Sequence, residues 1–346
     1  VGHCTVMVIP MKDELDLLGE AGFIFRTPMR GKKARKGKQA SKSLGVAPTA
    51  VSVLGRIRRT VGKRPEVMVK VSGSARGSRH LKEHLSYITR NGDLDGERED
   101  GTQVIGREAV MEMAAEWWGS IGAGRGKATR DTINIVLSMP AGTDRGAVER
   151  AARALSAAEF GGKHDYILVH HADTEHPHAH LTVKSLGYQG QRLDPRKGDL
   201  QAWREGFASQ MRAQGVEAEA TPRRARGQVQ KGVRQAIRHM DKRQGARVTR
   251  WRIEQAIKTV QEGKDTTPSA EPWRAAAQDR LKKTQRAWMT LARGLDGQGD
   301  VDLAVHVRKF AETFPVVAIT LRDRLIDDVR TRIAARDRER EQARRR

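Results

Sequence analysis

Apolar positions recur along this chain in two rhythms, and the changes between them mark the elements. Val67, Val69 and Val71 are apolar at every second position, the period of a half-buried strand. After a Gly/Ser/Arg turn, Leu81, Leu85 and Ile88 fall at helical spacing within Arg79 to Arg90. Glu108 to Trp118 continues as a second helix, beyond an acidic, glycine-rich loop from Asn91 to Gly101. The run Ile133-Asn134-Ile135-Val136-Leu137-Ser138 reads as a strand, and Pro140 and Gly142 end it before an alanine-rich helix that starts near Thr143. Two further strands, Tyr166 to His171 and His178 to Ser185, flank a short turn, and a helix fills Leu200 to Gln214. Past Pro222 the chain is charged and helix-prone, with periodic apolar residues such as Trp251, Ile253 and Ile257. These elements predict an α+β fold: a central antiparallel sheet flanked by helices and carrying a histidine-rich hairpin, followed by a mostly helical C-terminal region.

Charge divides the chain further. With 65 Lys+Arg against 42 Asp+Glu the formal net charge is +23, which points away from an ordinary neutral enzyme and towards a polyanionic partner. Thirteen basic residues and no acidic one lie between Ala21 and Pro65. Residues 1–65 are therefore expected to be a flexible basic arm that grips phosphate by releasing counterions. Residues 66–221 form the domain expected to carry the chemistry, and 222–346 a separate helical, charged region. The single cysteine, Cys4, excludes a disulfide framework and a cysteine-based zinc ribbon. No apolar run reaches 18 residues and no secretory signal opens the chain, so a cytoplasmic protein without membrane insertion is expected.

Six of the eleven histidines lie between His164 and His180. Residues two apart on a strand share a face, so His178 and His180 project two imidazoles side by side, a spacing that suits a divalent cation. If the two strands pair as a hairpin, either His170 or His171 is brought opposite as a third ligand. Three neutral ligands leave coordination positions open, which marks catalysis more than bracing.

The run His171-Ala172-Asp173-Thr174-Glu175-His176-Pro177-His178-Ala179-His180 resembles the histidine motif of the relaxase/mobilisation nuclease family, in its T-DNA border endonuclease-like branch. His84-Leu85-Ser86-Tyr87-Ile88-Thr89-Arg90 resembles that family's tyrosine motif, and Val136-Leu137-Ser138-Met139-Pro140-Ala141-Gly142-Thr143 its Ser/Pro/Gly motif, in the family's order. The resemblance covers about Glu66 to Thr221. It implies an enzyme that nicks one DNA strand at an origin of transfer and stays joined to the 5′ phosphate through tyrosine. It also implies a divalent ion, Mg or Mn, relaxosome accessory proteins, and a type IV secretion coupling protein that could read a signal in the basic C-terminal tail.

Only Tyr87, Tyr166 and Tyr188 could be that tyrosine. Tyr166 differs in parity from His171 and should face away from it. Tyr188 follows the histidine strand, and Tyr87 matches the family position and is preferred. A phenol titrates near 10, so attack on a phosphodiester needs help, which a metal held by His171, His178 and His180 could supply. Asp173 would orient an imidazole or deprotonate Tyr87, unless it only caps the turn. By the resemblance Ser138 contacts DNA near the nick. Arg125, Lys127 and Arg130 could line the strand path, as could Arg192, Arg196 and Lys197, with Trp117, Trp118 and Trp203 as stacking platforms or buried anchors. Alternatives with the same residues are a rolling-circle replication initiator and a non-catalytic DNA-binding protein with a structural metal; a hydrolase using activated water fits least, because the resemblance includes Tyr87.

Overall fold

A computed structural model describes residues 19, 21–25, 50–121, 129–172, 174–228, 237, 240, 247–263, 272–315 and 321–344. The described residues fall into two compact units, one drawn from residues 26–221 and the other from 1–25 with 222–346.

The first unit is built on a six-stranded antiparallel sheet: β1 (Met68–Gly73), β2 (Gly96–Arg98), β3 (Gln103–Val104), β4 (Thr132–Ser138), β5 (Tyr166–His171) and β6 (His178–Lys184), in the order β1-β4-β6-β5-β2-β3. Its helices are α1 (Ala50–Val61), α2 (Ser78–Ile88), α3 (Gly106–Ile121), α4 (Arg145–Phe160) and α5 (Lys197–Ala213). The expected sheet, its flanking helices and its hairpin are all present, with helices on both faces.

Alternation along the strands sorts the two faces. Ile133, Ile135 and Leu137 of β4, Ala179, Leu181 and Val183 of β6, and Tyr166 and Leu168 of β5 pack against Val148, Ala151 and Leu155 of α4 and Trp203, Phe207 and Met211 of α5. On the opposite face, Ile167 and Val169 pack with Leu81, Leu85 and Ile88 of α2 and Val110, Met113 and Trp117 of α3. Residues of β4, β5 and β6 with this second parity, including His171, His178 and His180, therefore stand on the α2 side.

Two stretches differ from expectation. The loop from Asn91 to Gly101 contributes β2, a strand too short and too polar to register as a period. Within the stretch expected to be an arm, Ala50–Val61 is helical, with Ile57 and Thr60 buried. Its Arg59 Nε donates to Glu219 Oε2 at 2.9 Å, and Thr60 and Thr221 hydroxyls meet at 2.9 Å. The cations of this helix thus find their partner 160 residues along the chain, while Arg30, Lys32, Lys33, Arg35, Lys36 and Lys38 lie outside the described residues.

The second unit comprises α6 (Arg247–Gln261), α7 (Pro272–Gly297), α8 (Val301–Glu312) and α9 (Leu321–Arg344). Trp288 anchors it, packed edge-on against Phe25 and Phe310 with ring centroids 5.9 and 5.1 Å away. Its indole N–H donates to the Ala225 carbonyl at 2.7 Å. No helix among the described residues is long and apolar enough to cross a membrane.

Candidate active site

The β5–β6 hairpin sets His171 directly opposite His178 and Val169 opposite His180. Three imidazoles converge as a result. Ring centroids lie 4.4 Å apart for His171 and His180, 5.1 Å for His171 and His178, and 5.2 Å for His178 and His180. One nitrogen from each lies within 4.8 Å of the others, a group that could hold a metal ion. His170 has the other parity, on the α4 face near Glu149, Arg153 and Glu97. The geometry therefore groups His171, and not His170, with the pair.

Hydrogen bonds assign the tautomers. A carbonyl only accepts, so His171 Nε2 donates to the Ile88 oxygen at 2.6 Å, which puts the lone pair on Nδ1. By the same argument His178 Nδ1 donates to the His176 carbonyl at 3.0 Å, and its lone pair is on Nε2. Burial, reinforced by His171, His178, His84 and Arg90, pushes the His180 pKa down to about 3. His180 is thus neutral at physiological pH, the state a metal ligand requires.

Tyr87 stands beside this cluster. It lies in the last turn of α2, 65 % exposed, with its ring edge-on to His180 at a centroid distance of 6.3 Å. Leu85 and Ile88 lock the helix against the sheet, and the Ile88 carbonyl is the acceptor for His171. Beyond the helix, Arg90 and Asn91 both take left-handed conformations, φ 54° and 62°, unusual for an arginine. Gly92 follows at φ 99°, where a Cβ would come within 2.3 Å of the Arg107 nitrogen, so only glycine fits. This sharp reversal keeps Arg90 near enough to His180 to depress its pKa.

The other tyrosines are elsewhere. Tyr166 is buried in the α4/α5 core, and burial raises its pKa to about 12. Tyr188 hydrogen-bonds Glu99, with its backbone N–H on the Lys163 carbonyl, near the start of β5. Five residue steps of about 3.3 Å separate that end of β5 from His171, about 17 Å. Burial and the Glu99 carboxylate raise the Tyr188 pKa, which disfavours a phenolate.

Ser138 pairs with His178 across β4 and β6, on the same face, at 6 % exposure. Arg130 precedes the opposite end of β4, pairs with Asp194 and accepts an Arg192 hydrogen bond on its carbonyl, so it is not brought to the histidines. Asp173, Arg125 and Lys127 lie outside the described residues. Trp117 and Trp203 are buried anchors, the former donating to Asp165 at 2.7 Å, whereas Trp118 is partly exposed. Sequence reasoning assigned no role to His84, which the structure places in the same neighbourhood. Its Nε2 meets Thr182 Oγ1 at 2.9 Å, and burial, with His80, lowers its pKa to about 4. Its i, i+3 spacing from Tyr87 was the available signal. Arg145, at the first turn of α4, holds the hairpin loop by bonding the carbonyls of Ala172 and Thr174.

The antiparallel sheet thus carries three imidazoles on one face, with an exposed tyrosine on the covering helix beside them. Residues 87–216 match the family described as "Relaxase: MobA/VirD2-like, nuclease domain". The chain is similar to "T-DNA border endonuclease VirD2" of Rhizobium radiobacter, 27 % identical over 184 residues, covering 47 % of this chain and 43 % of that protein. The protein of the same name from Agrobacterium fabrum (strain C58) is 26 % identical over 208 residues, covering 54 % and 46 %. The match thus spans less than half the length of these relatives.

Proposed function

We propose that this protein is a relaxase: it nicks single-stranded DNA at a specific site by transesterification onto Tyr87, leaving a 5′-phosphotyrosyl adduct for conjugative transfer or mobilisation. The observation that carries this reading is the juxtaposition of Tyr87 with His171, His178 and His180. The Tyr87 hydroxyl gives up its proton to Asp173 or solvent as its oxygen attacks the scissile phosphorus, the bond to the 3′ oxygen breaks, and that oxygen takes up a proton and leaves as a hydroxyl. Joining is the reverse step.

The residues fit a divalent ion, since one nitrogen from each of the three imidazoles lies within 4.8 Å of the others. Such an ion, when bound, would supply Lewis-acid neutralisation of charge on the scissile phosphate. Imidazole donors suit Mn better than Mg, which prefers oxygen ligands, so Mn is the favoured of the two. His171 serves as ligand and brace together, because its second nitrogen anchors the helix end that bears Tyr87. Asp173, in the loop between the ligand strands, is the proposed orienting or proton-accepting carboxylate. Ser138, in the row of His178, is proposed to border the bound strand, and the basic residues Arg125, Lys127 and Arg130 to hold it further out. The acid-free N-terminal stretch adds electrostatic grip, and accessory proteins and a type IV coupling protein complete the proposed setting in the cytoplasm.

The test is incubation with single-stranded oligonucleotides spanning a candidate origin of transfer, in Mn, followed by peptide mapping of any covalent product. The adduct is expected on Tyr87, and Tyr87→Phe should abolish it while oligonucleotide binding stays within about twofold of the parent. An adduct formed by the Phe variant refutes the assignment.

A further inference from the structure

The sheet face that carries the histidines continues past them. Across the register, His171, His178, Ser138 and Met68 stand in one row on β5, β6, β4 and β1, and Val169, His180, Val136 and Lys70 in the next. Residues directly opposite in antiparallel strands project to the same face. Val67 and Val69, of the other parity, are buried in the α4/α5 core, which sends Met68 and Lys70 to the histidine side. Strand β1 is the sheet edge, and there Met68 is 47 % exposed and Lys70 is exposed, with no acidic partner among the described residues. Two strand spacings of about 4.8 Å put the Lys70 backbone about 10 Å from that of His180. Ser138 is recessed between Met68 and His178.

We propose that β1 forms a nucleotide subsite adjoining the nicking site, in which Lys70 neutralises a phosphate of the bound single strand near the scissile one and Met68 gives the neighbouring base an apolar platform. The occupant is taken from the reading above. Its chemistry matches the surface, because a single strand offers a phosphate and an apolar base face at each step, and grooves for it combine cations with stacking surfaces. Neither side chain serves the core, since both point away from it.

The experiment measures binding of a fluorescein-labelled twelve-nucleotide oligothymidylate by anisotropy over a KCl series. Each phosphate neutralised on a single strand contributes about 0.7 to the slope of log K against log[KCl]. Lys70→Gln should reduce the slope by about 0.7, whereas Lys163→Gln, at the far end of the sheet, should leave it unchanged. Met68→Ser should weaken binding by about threefold to tenfold with the slope unchanged, because apolar contact with a base is insensitive to salt. A parental slope in Lys70→Gln, or parental affinity in Met68→Ser, overturns the proposal. Both side chains are exposed, so unchanged melting temperatures will certify folding. Binding requires no chemistry: a chain with the Lys70-dependent slope but no Tyr87 adduct would refute the nicking reading and leave this subsite standing.

Discussion

His171 and His178 offer a test of the site because they share a proposed chemical role and differ in structural role. His171 is 5 % exposed and its Nε2 bonds the Ile88 carbonyl at 2.6 Å, whereas His178 is partly exposed and bonds only within its own loop. Either change to alanine removes one imidazole from the cluster, so both variants should lose Mn-dependent adduct formation. Only His171→Ala also leaves a buried carbonyl without its donor and detaches the end of α2, at a cost of about 1–3 kcal/mol. For His178→Ala the expected cost is within about 0.5 kcal/mol. In a unit of this size each kcal/mol moves the melting temperature by roughly 2–4 °C. A central cost of about 2 kcal/mol then lowers the midpoint by about 4–8 °C. Calorimetry in chelator, with the metal contribution removed, should therefore separate two variants that adduct assays cannot. Equal apo melting temperatures would refute the claim that His171 ties the ligand set to the tyrosine helix, and persistent cleavage by either variant would refute the ligand assignment.

Three further outcomes follow from the same geometry. Chelator should abolish cleavage by the parent protein while leaving oligonucleotide binding, read by anisotropy, largely intact; undiminished nicking would contradict the metal site. His84 has a pKa near 4 in the folded chain against about 6.5 unfolded, so the unfolded state binds the extra proton between those values. That contribution is fully present above pH 6.5 and is lost as pH falls towards 4, so the apo parent should lose up to roughly 2 kcal/mol more than His84→Gln between pH 7.5 and 5. A parallel pH dependence of the two thermal midpoints would exclude His84 as the source. Removal of the last eleven residues should impair conjugative transfer without affecting adduct formation, and normal transfer by the truncated chain would reject an export signal there.

Much of the sheet could be read from parity alone. Val67, Val69 and Val71 announced β1, and the odd offset between Tyr166 and His171 placed them on opposite faces. Parity could not choose between His170 and His171, because it separates faces without saying which of them meets α2. That choice depends on Ile88 and Ile167 packing together, a contact between residues far apart in the chain. The helix at Ala50–Val61 was hidden for a similar reason. Its arginines look unopposed until Glu219 is folded against them. Strand β2 was invisible because three residues, one of them glycine, carry no period. Convergence of Tyr87 on the histidines was legible only through the family motifs, since no local pattern relates a helix at 78–88 to a hairpin ninety residues later.

The two strands that carry the clustered histidines are interior, with β6 held between β4 and β5, and β5 between β6 and β2. A slip of one residue in β6 would exchange His178 and His180 for Ala179 and Leu181 and carry both imidazoles to the far side of the sheet. Neighbours on both sides oppose that slip, so the assembled sheet holds the proposed ligand set in register. Affinity for a divalent ion would then report on the pairing of β4, β6, β5 and β2, and a mutation that loosened β4 from β6 would register as weakened metal uptake.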